Sequence, residues 1–325
     1  MRKIIFLFVA AVLVCLPLAT KAALDQDALI VGSIKDADKD LAQGIIKAYD
    51  VESGDEIFSI TAFERNVGVK VAVGDIYEDS TPEIIAMPFK KTRNPHLRFF
   101  TAEGEMGLDQ RIFAQNLLKP KSFDLAVGDI NDNGENEIVL VSSGKDKITF
   151  IVLKLQEMEG TFKILKRQTL DIAGYTGGAF VSIANIDTAD DAYEIITSPI
   201  NGEARIDLWK FTDEEMVFTA NASFGTDEEY TAGMRTTARG EKVYGYMDVS
   251  NGLIGDYEYN ATDAFTPGTY NIAEVGQIGE LCKTADFLAV SMRSEKEVVL
   301  YDKDKEEADT INVLSKGSSL AYFEI

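Results

Sequence analysis

One short stretch carries the side chains best placed to do chemistry. In LAVGDINDNGENEIVLV, from Leu125 to Val141, oxygen-bearing groups recur at Asp129, Asn131, Asn133 and then Glu137. Carboxylates and amides at every second position of an extended loop can converge on one point, as a hard cation such as calcium requires. Gly134 supplies a sharp turn that a side chain would hinder. The other reading of the same residues is an Asx-rich hairpin turn that holds no metal. The pattern occurs earlier as VAVGDIYEDSTPEIIAM (Val71 to Met87) and later, in worn form, as VSIANIDTADDAYEIIT (Val181 to Thr197).

Other chemistries find little support. His96 is the only histidine, so zinc sites built on several histidines are excluded and a histidine-based triad has one candidate. No GxSxG, Walker-type or GxGxxG stretch stands in a strand-to-helix context. The Gly-rich YTGGAF (Tyr175 to Phe180) reads as a turn before a strand, and the basic KPK and KKTR stretches read as solvated loops. Trp209 and Tyr301 fall at equivalent repeat positions, which points to packing between repeated units.

The elements that must position the loop residues are short strands. An acidic residue opens an apolar run six times, at Asp27, Glu83, Glu137, Glu194, Glu241 and Asp286, in steps of 56, 54, 57, 47 and 45 residues. Each run is followed by a second strand ending in an acidic turn, then a third, then a fourth such as VKVAVGDI or FDLAVGDI. Four strands per period of roughly fifty residues, with almost no helix signal, predict an all-β, six-bladed β-propeller of four-stranded antiparallel blades. A β-sandwich, the competing fold, does not predict one module recurring at near-constant spacing. The GDI strand and the acidic-start strand after it should be hairpin neighbours. That leaves unpaired strands at the two ends of the chain, residues 28–33 and 318–325, whose pairing would close the ring and remove two exposed edges.

Residues 1–22 read as a signal peptide, with Arg2 and Lys3 before IIFLFVAAVLVCLPLA and small residues near Ala22, leaving residues 23–325 as the propeller domain. Its removal leaves 29 basic against 54 acidic side chains, a net charge of −25. Such a surface repels nucleic-acid phosphates and anionic lipid heads, so the expectation is no nucleic-acid partner and no membrane insertion. The mature chain keeps one cysteine, Cys282, and therefore no intramolecular disulfide.

VAVGDINDNGENEIV resembles the FG-GAP/VCBS repeat of integrin α-subunits and many secreted bacterial proteins, and PHLRFFTAEGE (Pro95 to Glu105) resembles a segment that often accompanies it. The likeness is clear over residues 40–210 and faint after that. It implies a propeller with calcium loops between the first two strands of a blade, and binding or adhesion in place of catalysis. Carried over by position, the ligands would be Asp129, Asn131, Asn133 and Glu137, with the Glu135 carbonyl. The earlier loop keeps Asp75, Asp79 and Glu83, but Tyr77 replaces an oxygen ligand. The later one has Asn185 and Asp187, then Ala189, with Asp191 and Glu194 displaced. The TTARGEK and LCKTADF hairpins lack the set.

The expectation is thus a secreted or surface-exposed, extracytoplasmic module. It would bind a protein or carbohydrate through calcium-stabilised loops without catalysis. The alternative is a calcium-dependent propeller hydrolase, phytase-like or glycoside-active.

Overall fold

The computed structural model describes residues 24, 26–34, 43–65, 67–89, 95–112, 123–144, 147–156, 160–223, 233–247, 253–260, 264–273, 278–293, 295–304, 306–313 and 318–324. The expected signal peptide, KPK and KKTR lie outside them. Every regular element among the described residues is a β-strand.

Blade 1 begins with β1 (Ala28–Gly32), β2 (Gly44–Asp50) and β3 (Glu56–Phe63). Blade 2 is β4 (Val69–Gly74), β5 (Glu83–Pro88), β6 (His96–Phe100) and β7 (Met106–Arg111). Blade 3 is β8 (Asp124–Gly128), β9 (Glu137–Gly144), β10 (Lys147–Gln156) and β11 (Thr161–Asp171). Blade 4 is β12 (Thr176–Ala184), β13 (Glu194–Asn201), β14 (Arg205–Thr212) and β15 (Glu215–Ser223). Blade 5 is β16 (Met234–Arg239), β17 (Lys242–Met247), β18 (Leu253–Asn260) and β19 (Ala264–Ala273). Blade 6 is β20 (Ile278–Lys283), β21 (Leu288–Met292), β22 (Glu297–Tyr301) and β23 (Glu307–Asn312). The last strand, β24 (Ser319–Phe323), returns to blade 1 as its innermost strand, giving the sheet order β24-β1-β2-β3.

The expected closure is therefore present. β24 runs antiparallel to β1, from Ala28↔Phe323 to Gly32↔Ser319. The innermost strands β4, β8, β12, β16, β20 and β24 each touch the next in a closed ring, which makes the chain an all-β six-bladed propeller.

Six apolar clusters hold the ring, one between each pair of neighbouring blades. β1 shows how alternation serves two of them. Ala28 and Ile30 face blade 2 beside Ile84 and Phe100, while Leu29 and Val31 face blade 6 beside Leu300 and Ile311. A strand buried on both faces must be apolar at every position, which is why ALIV and EIVLV read as continuous runs. Each such Ile, Leu or Val stabilises the fold by about 1.5–3 kcal/mol relative to exposure. The repeated glycine before the loop aspartate has a packing cause: a Cβ on Gly74 would strike Val127 of the next inner strand, and one on Gly128 would meet Ile183.

Trp209 lies in the cluster between blades 3 and 4 and Tyr301 packs against that between blades 5 and 6, as expected. The indole donates to Thr197 Oγ1 at 2.8 Å, and the Tyr175 hydroxyl lies 2.7 Å from both Thr197 Oγ1 and Asp207 Oδ2. Arg205 Nε donates to both Asp207 oxygens, so this buried polar chain is satisfied. YTGGAF departs from its reading as a turn. β12 already begins at Thr176, with a register irregularity between Thr176 and Ala179 and Gly178 at φ 143°. His96 pairs with Asp109 and packs edge-on to Phe63, 5.5 Å between centroids. Cys282 is buried between blades 6 and 1, and burial pushes its thiol up to about 12.

Candidate functional site

The acidic loops are the hairpin turns β4–β5, β8–β9 and β12–β13, on one face of the ring. The first two share one backbone. Asp75 Oδ1 accepts the Asp79 amide at 3.2 Å and Oδ2 the Ser80 amide at 2.9 Å. Asp129 does the same for Asn133 at 3.2 Å and Gly134 at 2.7 Å. Left-handed φ falls at matching places, Glu78 (57°) with Asp132 (56°) and Ser80 (67°) with Gly134 (80°). Only the second loop puts glycine at the last of these, where L side chains are strained. Asp79 Oδ1 and Asn133 Oδ1 each accept an amide two residues on, at 2.9 and 2.8 Å.

The glutamates that open the following strands are buried staples. Glu83 Oε2 accepts the Ile76 amide at 2.8 Å, and Glu137 Oε2 that of Ile130 at 3.3 Å. Glu194 Oε2 takes the amides of Ile186 and Asp187, both at 2.9 Å. Burial pushes the Glu83 and Glu137 carboxyls up to about 7, the loop amides pulling the other way. The three loops are also tied together. Asn136 Nδ2 donates to the Asp75 carbonyl at 2.8 Å, and the Tyr193 amide to the Asp129 carbonyl at 2.9 Å.

Calcium fits these loops unequally. Among the described residues no three His, Cys, Asp or Glu side chains form a group placed to hold a metal ion, so Asp75, Asp79 and Glu83 do not make one. Tyr77 packs against the core between blades 2 and 3. The Asp129 loop offers two carboxylates and two amides. Asn131 turns Nδ2 toward Glu137 Oε1 at 2.7 Å, and reversing that amide puts two oxygens there, the donor type calcium takes. The Glu135 side chain pairs with Lys154. In the third loop a lysine stands where a cation would. Lys210 Nζ lies 3.1 Å from Asp187, 3.0 Å from Asp190 and 3.2 Å from Glu194. Burial alone would lower its ammonium pKa, but these three carboxylates hold it above the ordinary lysine value. Lys154 and Lys210 share one repeat position, the residue after the pairs Leu153↔Ile138 and Trp209↔Ile195; blade 2 has Thr101 there, after Phe100↔Ile84. In the LCKTADF hairpin, Lys283 Nζ donates to the carbonyls of Thr284, Ala285 and Phe287 at 2.7–3.3 Å.

The residues that line the axial channel, and where it opens, could not be read from the sequence. At the loop face it opens into a groove of about 610 Å³, lined by Asn185, Tyr193, Arg239, Tyr244, Lys283 and Glu324 among others. Arg239 pairs with Glu324 at 2.6 Å and lies over the Tyr322 ring at 5.1 Å. At the other end is a cavity of about 210 Å³. Between the two mouths, one position of each inner strand supplies a ring of side chains: Lys70, Asp124, Phe180, Arg235, Glu280 and Ser319. Lys70, nearly inaccessible, bridges Asp124 at 3.0 Å and Glu280 from across the channel. Asp124 Oδ2 also accepts the Val181 amide at 3.0 Å, and Glu280 Oε2 that of Leu320 at 3.1 Å. Burial lifts the Asp124 carboxyl and the Lys70 charge opposes it; the two carboxylates in turn hold the Lys70 pKa above its ordinary value against burial. A faint signal existed: Lys70 and Asp124 stand five residues before the loop aspartates and break otherwise apolar runs.

No protein-family model matches the chain, and no curated protein sequence matches it significantly. The FG-GAP/VCBS likeness therefore rests on the residues quoted for it. Solved structures match across nearly the whole chain. The periplasmic gluconolactonase PpgL of Pseudomonas aeruginosa aligns with TM-score 0.56 at 10% identity, covering 91% of this chain and 99% of that one. A protein of unknown function from Bacteroides caccae gives 0.53 at 10%, covering 92% and 99%. A chain of the nidogen/laminin complex gives 0.51 at 13%, covering 91% and 97%. At such identities the shared property is the propeller fold, common to proteins of differing roles.

Proposed function

We propose that the protein is an extracytoplasmic, non-catalytic binding propeller that engages a carbohydrate or protein partner on its loop face. The observation that carries this reading is the open groove at that end of the axis. Tyr193, 41% exposed, stands there beside Asn185 and Arg239, an aromatic face with amide and guanidinium donors. Such a set matches a sugar ring or a polar protein surface. Calcium at Asp129, Asn131, Asn133 and Glu137 would supply stiffness, not chemistry. The Tyr193 amide is bonded to the Asp129 carbonyl, so fixing that loop fixes a wall of the groove. The carboxylates deeper in the channel are engaged by Lys70 and backbone amides, an arrangement suited to holding structure.

The test is direct binding of the mature protein to arrayed glycans and to purified surface proteins, with phosphate-ester, glycoside and lactone turnover assayed in parallel. Saturable binding that falls in Tyr193→Ala and Asn185→Ala and weakens in chelator supports the reading. Turnover abolished by a single carboxylate substitution replaces it with the hydrolase.

A further inference from the structure

The loop-face groove does not end at its first hollow. A second one of about 490 Å³ adjoins it, and the two share Tyr244, Lys283 and Ala285. The cleft therefore runs from Tyr193 in the β12–β13 hairpin, past blade 5, to Phe287 and to Lys303 in the β22–β23 turn. A compact ligand fills one hollow. A chain of linked rings fills both.

Charge narrows the chemistry of that ligand. The described lining residues carry three cations, Arg239, Lys283 and Lys303, and three carboxylates, Asp286, Asp302 and Glu324. The cleft is neutral in a chain of net charge −22. Two of its cations are also engaged. Arg239 Nη2 lies 2.6 Å from Glu324, and Lys283 Nζ spends all three donors on backbone carbonyls. An ionic ligand would break such pairs or bring a charge that the cleft does not match.

A protein partner would need apolar anchors to bury. Of the large apolar side chains exposed among the described residues, Phe89, Met106, Tyr193, Val217 and Phe218, only Tyr193 lines the cleft. Its ring is held in place. One edge lies where a Cβ on Gly128 would come within 3.2 Å, and its backbone amide is bonded to the Asp129 carbonyl. Its hydroxyl has no protein hydrogen bond among the described residues. A sugar ring seated there meets an aromatic face and an unspent O–H together.

We infer that the loop-face cleft takes a short, linear, uncharged oligosaccharide. One sugar ring lies on Tyr193, and further units cross Ala285 toward Phe287 and Lys303. The inference rests on the loop-face reading and narrows it to one class of ligand.

The test uses the mature full chain in titration calorimetry and thermal melts. The neutral probes are maltotriose, cellotriose and triacetylchitotriose, each with its monosaccharide; the charged probes are trigalacturonate and the glucosamine trimer. At least one neutral trisaccharide should bind saturably with Kd below roughly 5 mM, at least about fivefold more tightly than its monosaccharide. Raising NaCl from about 0.05 to about 0.5 M should change that Kd by less than about twofold. Tyr193→Ala and Ala285→Leu replace exposed side chains. Both should melt like the wild type, and each should weaken the trisaccharide about fivefold or more. A monosaccharide that binds as tightly as its trisaccharide confines the ligand to one hollow and overturns the inference. Trisaccharide binding that neither variant alters places the sugar elsewhere and also overturns it. A charged trimer that binds more tightly than every neutral one, or a purified protein that binds where no neutral sugar does, overturns the inference while the loop-face reading stands, provided Tyr193→Ala weakens that binding. Failure of every sugar and every protein overturns both.

Discussion

Lys210 gives the sharpest test of how the acidic loops are held. Its ammonium is within 3.2 Å of Asp187, Asp190 and Glu194, and Glu194 is fully buried. Lys210→Met removes the cation and leaves the three carboxylates facing one another. Breaking a fully buried pair costs about 3–5 kcal/mol, but Asp190 is 48% exposed and Asp187 23%, so water recovers part of their share. The net loss should be about 2–3 kcal/mol, which for a domain of about 300 residues lowers Tm by roughly 3–5 °C. The variant also creates a vacancy of the charge and hardness that calcium prefers. Low-millimolar calcium should therefore restore about 1–2 kcal/mol to Lys210→Met at this loop, beyond any gain the wild type shows. The assay is urea and thermal unfolding of both proteins in chelator and in calcium. A variant that melts with the wild type in chelator, or gains no more from calcium, refutes the idea that lysine serves as the loop's cation. Lys154→Met should cost less than about 1 kcal/mol, because its partner Glu135 is one-third exposed.

Wild-type protein should gain on the order of 1–2 kcal/mol in low-millimolar calcium, lost in Asp129→Ala and largely kept in Asp75→Ala; identical melts in calcium and chelator would show that the loops are only turns. Deleting residues 318–325 removes β24 from β1, whose Ala28, Leu29, Ile30 and Val31 are at most 4% exposed, and should abolish cooperative unfolding or cause aggregation; a truncated chain that melts like the full one contradicts the closure. Glu83 and Glu137 keep protons in the native state that the unfolded chain has released between about pH 4.5 and 7, so their contribution falls as pH rises through that window. In chelator Tm should decline across it, with a shallower slope in Glu83→Gln/Glu137→Gln; an unchanged slope in the double variant refutes the assignment.

Much of the ring was legible because its signals are local. Six acidic openings at near-equal spacing, apolar runs on both sides of a GD turn and two unpaired terminal strands are enough to specify six blades and their closure. The loop glutamates were harder. A carboxylate at the end of a hairpin serves equally as a cation ligand and as an acceptor for the loop's amides, and Glu83, Glu137 and Glu194 do the second. Their residue type could not separate the two roles. Lys210 was invisible for another reason: it reaches Asp187 across a β-hairpin, at a separation that no loop motif spans. The axial residues lie on six different strands, and only closure of the ring brings Lys70 to Glu280, 210 residues away.

Lys70 and Lys210 point to one physical economy. A chain of net charge −22 must neutralise the carboxylates its hairpins concentrate, and a bound ion does so only when its concentration and the pH allow. A lysine tethered across the hairpin supplies the same charge at fixed local concentration and cannot be removed by chelation. Lys210 does this among three carboxylates, and Lys70 does it at the axis between two. The cost is rigidity of assignment. A loop filled by lysine has no exchangeable cation, so it cannot report on calcium. The blade 2 loop has Thr101 at that position and Ser80 where the second loop has its turn glycine, with Tyr77 packed against the core. Only the Asp129 loop then combines the ligand types, the turn glycine and an amide free to reverse. Any ionic control over the groove wall at Tyr193 must pass through that one hairpin.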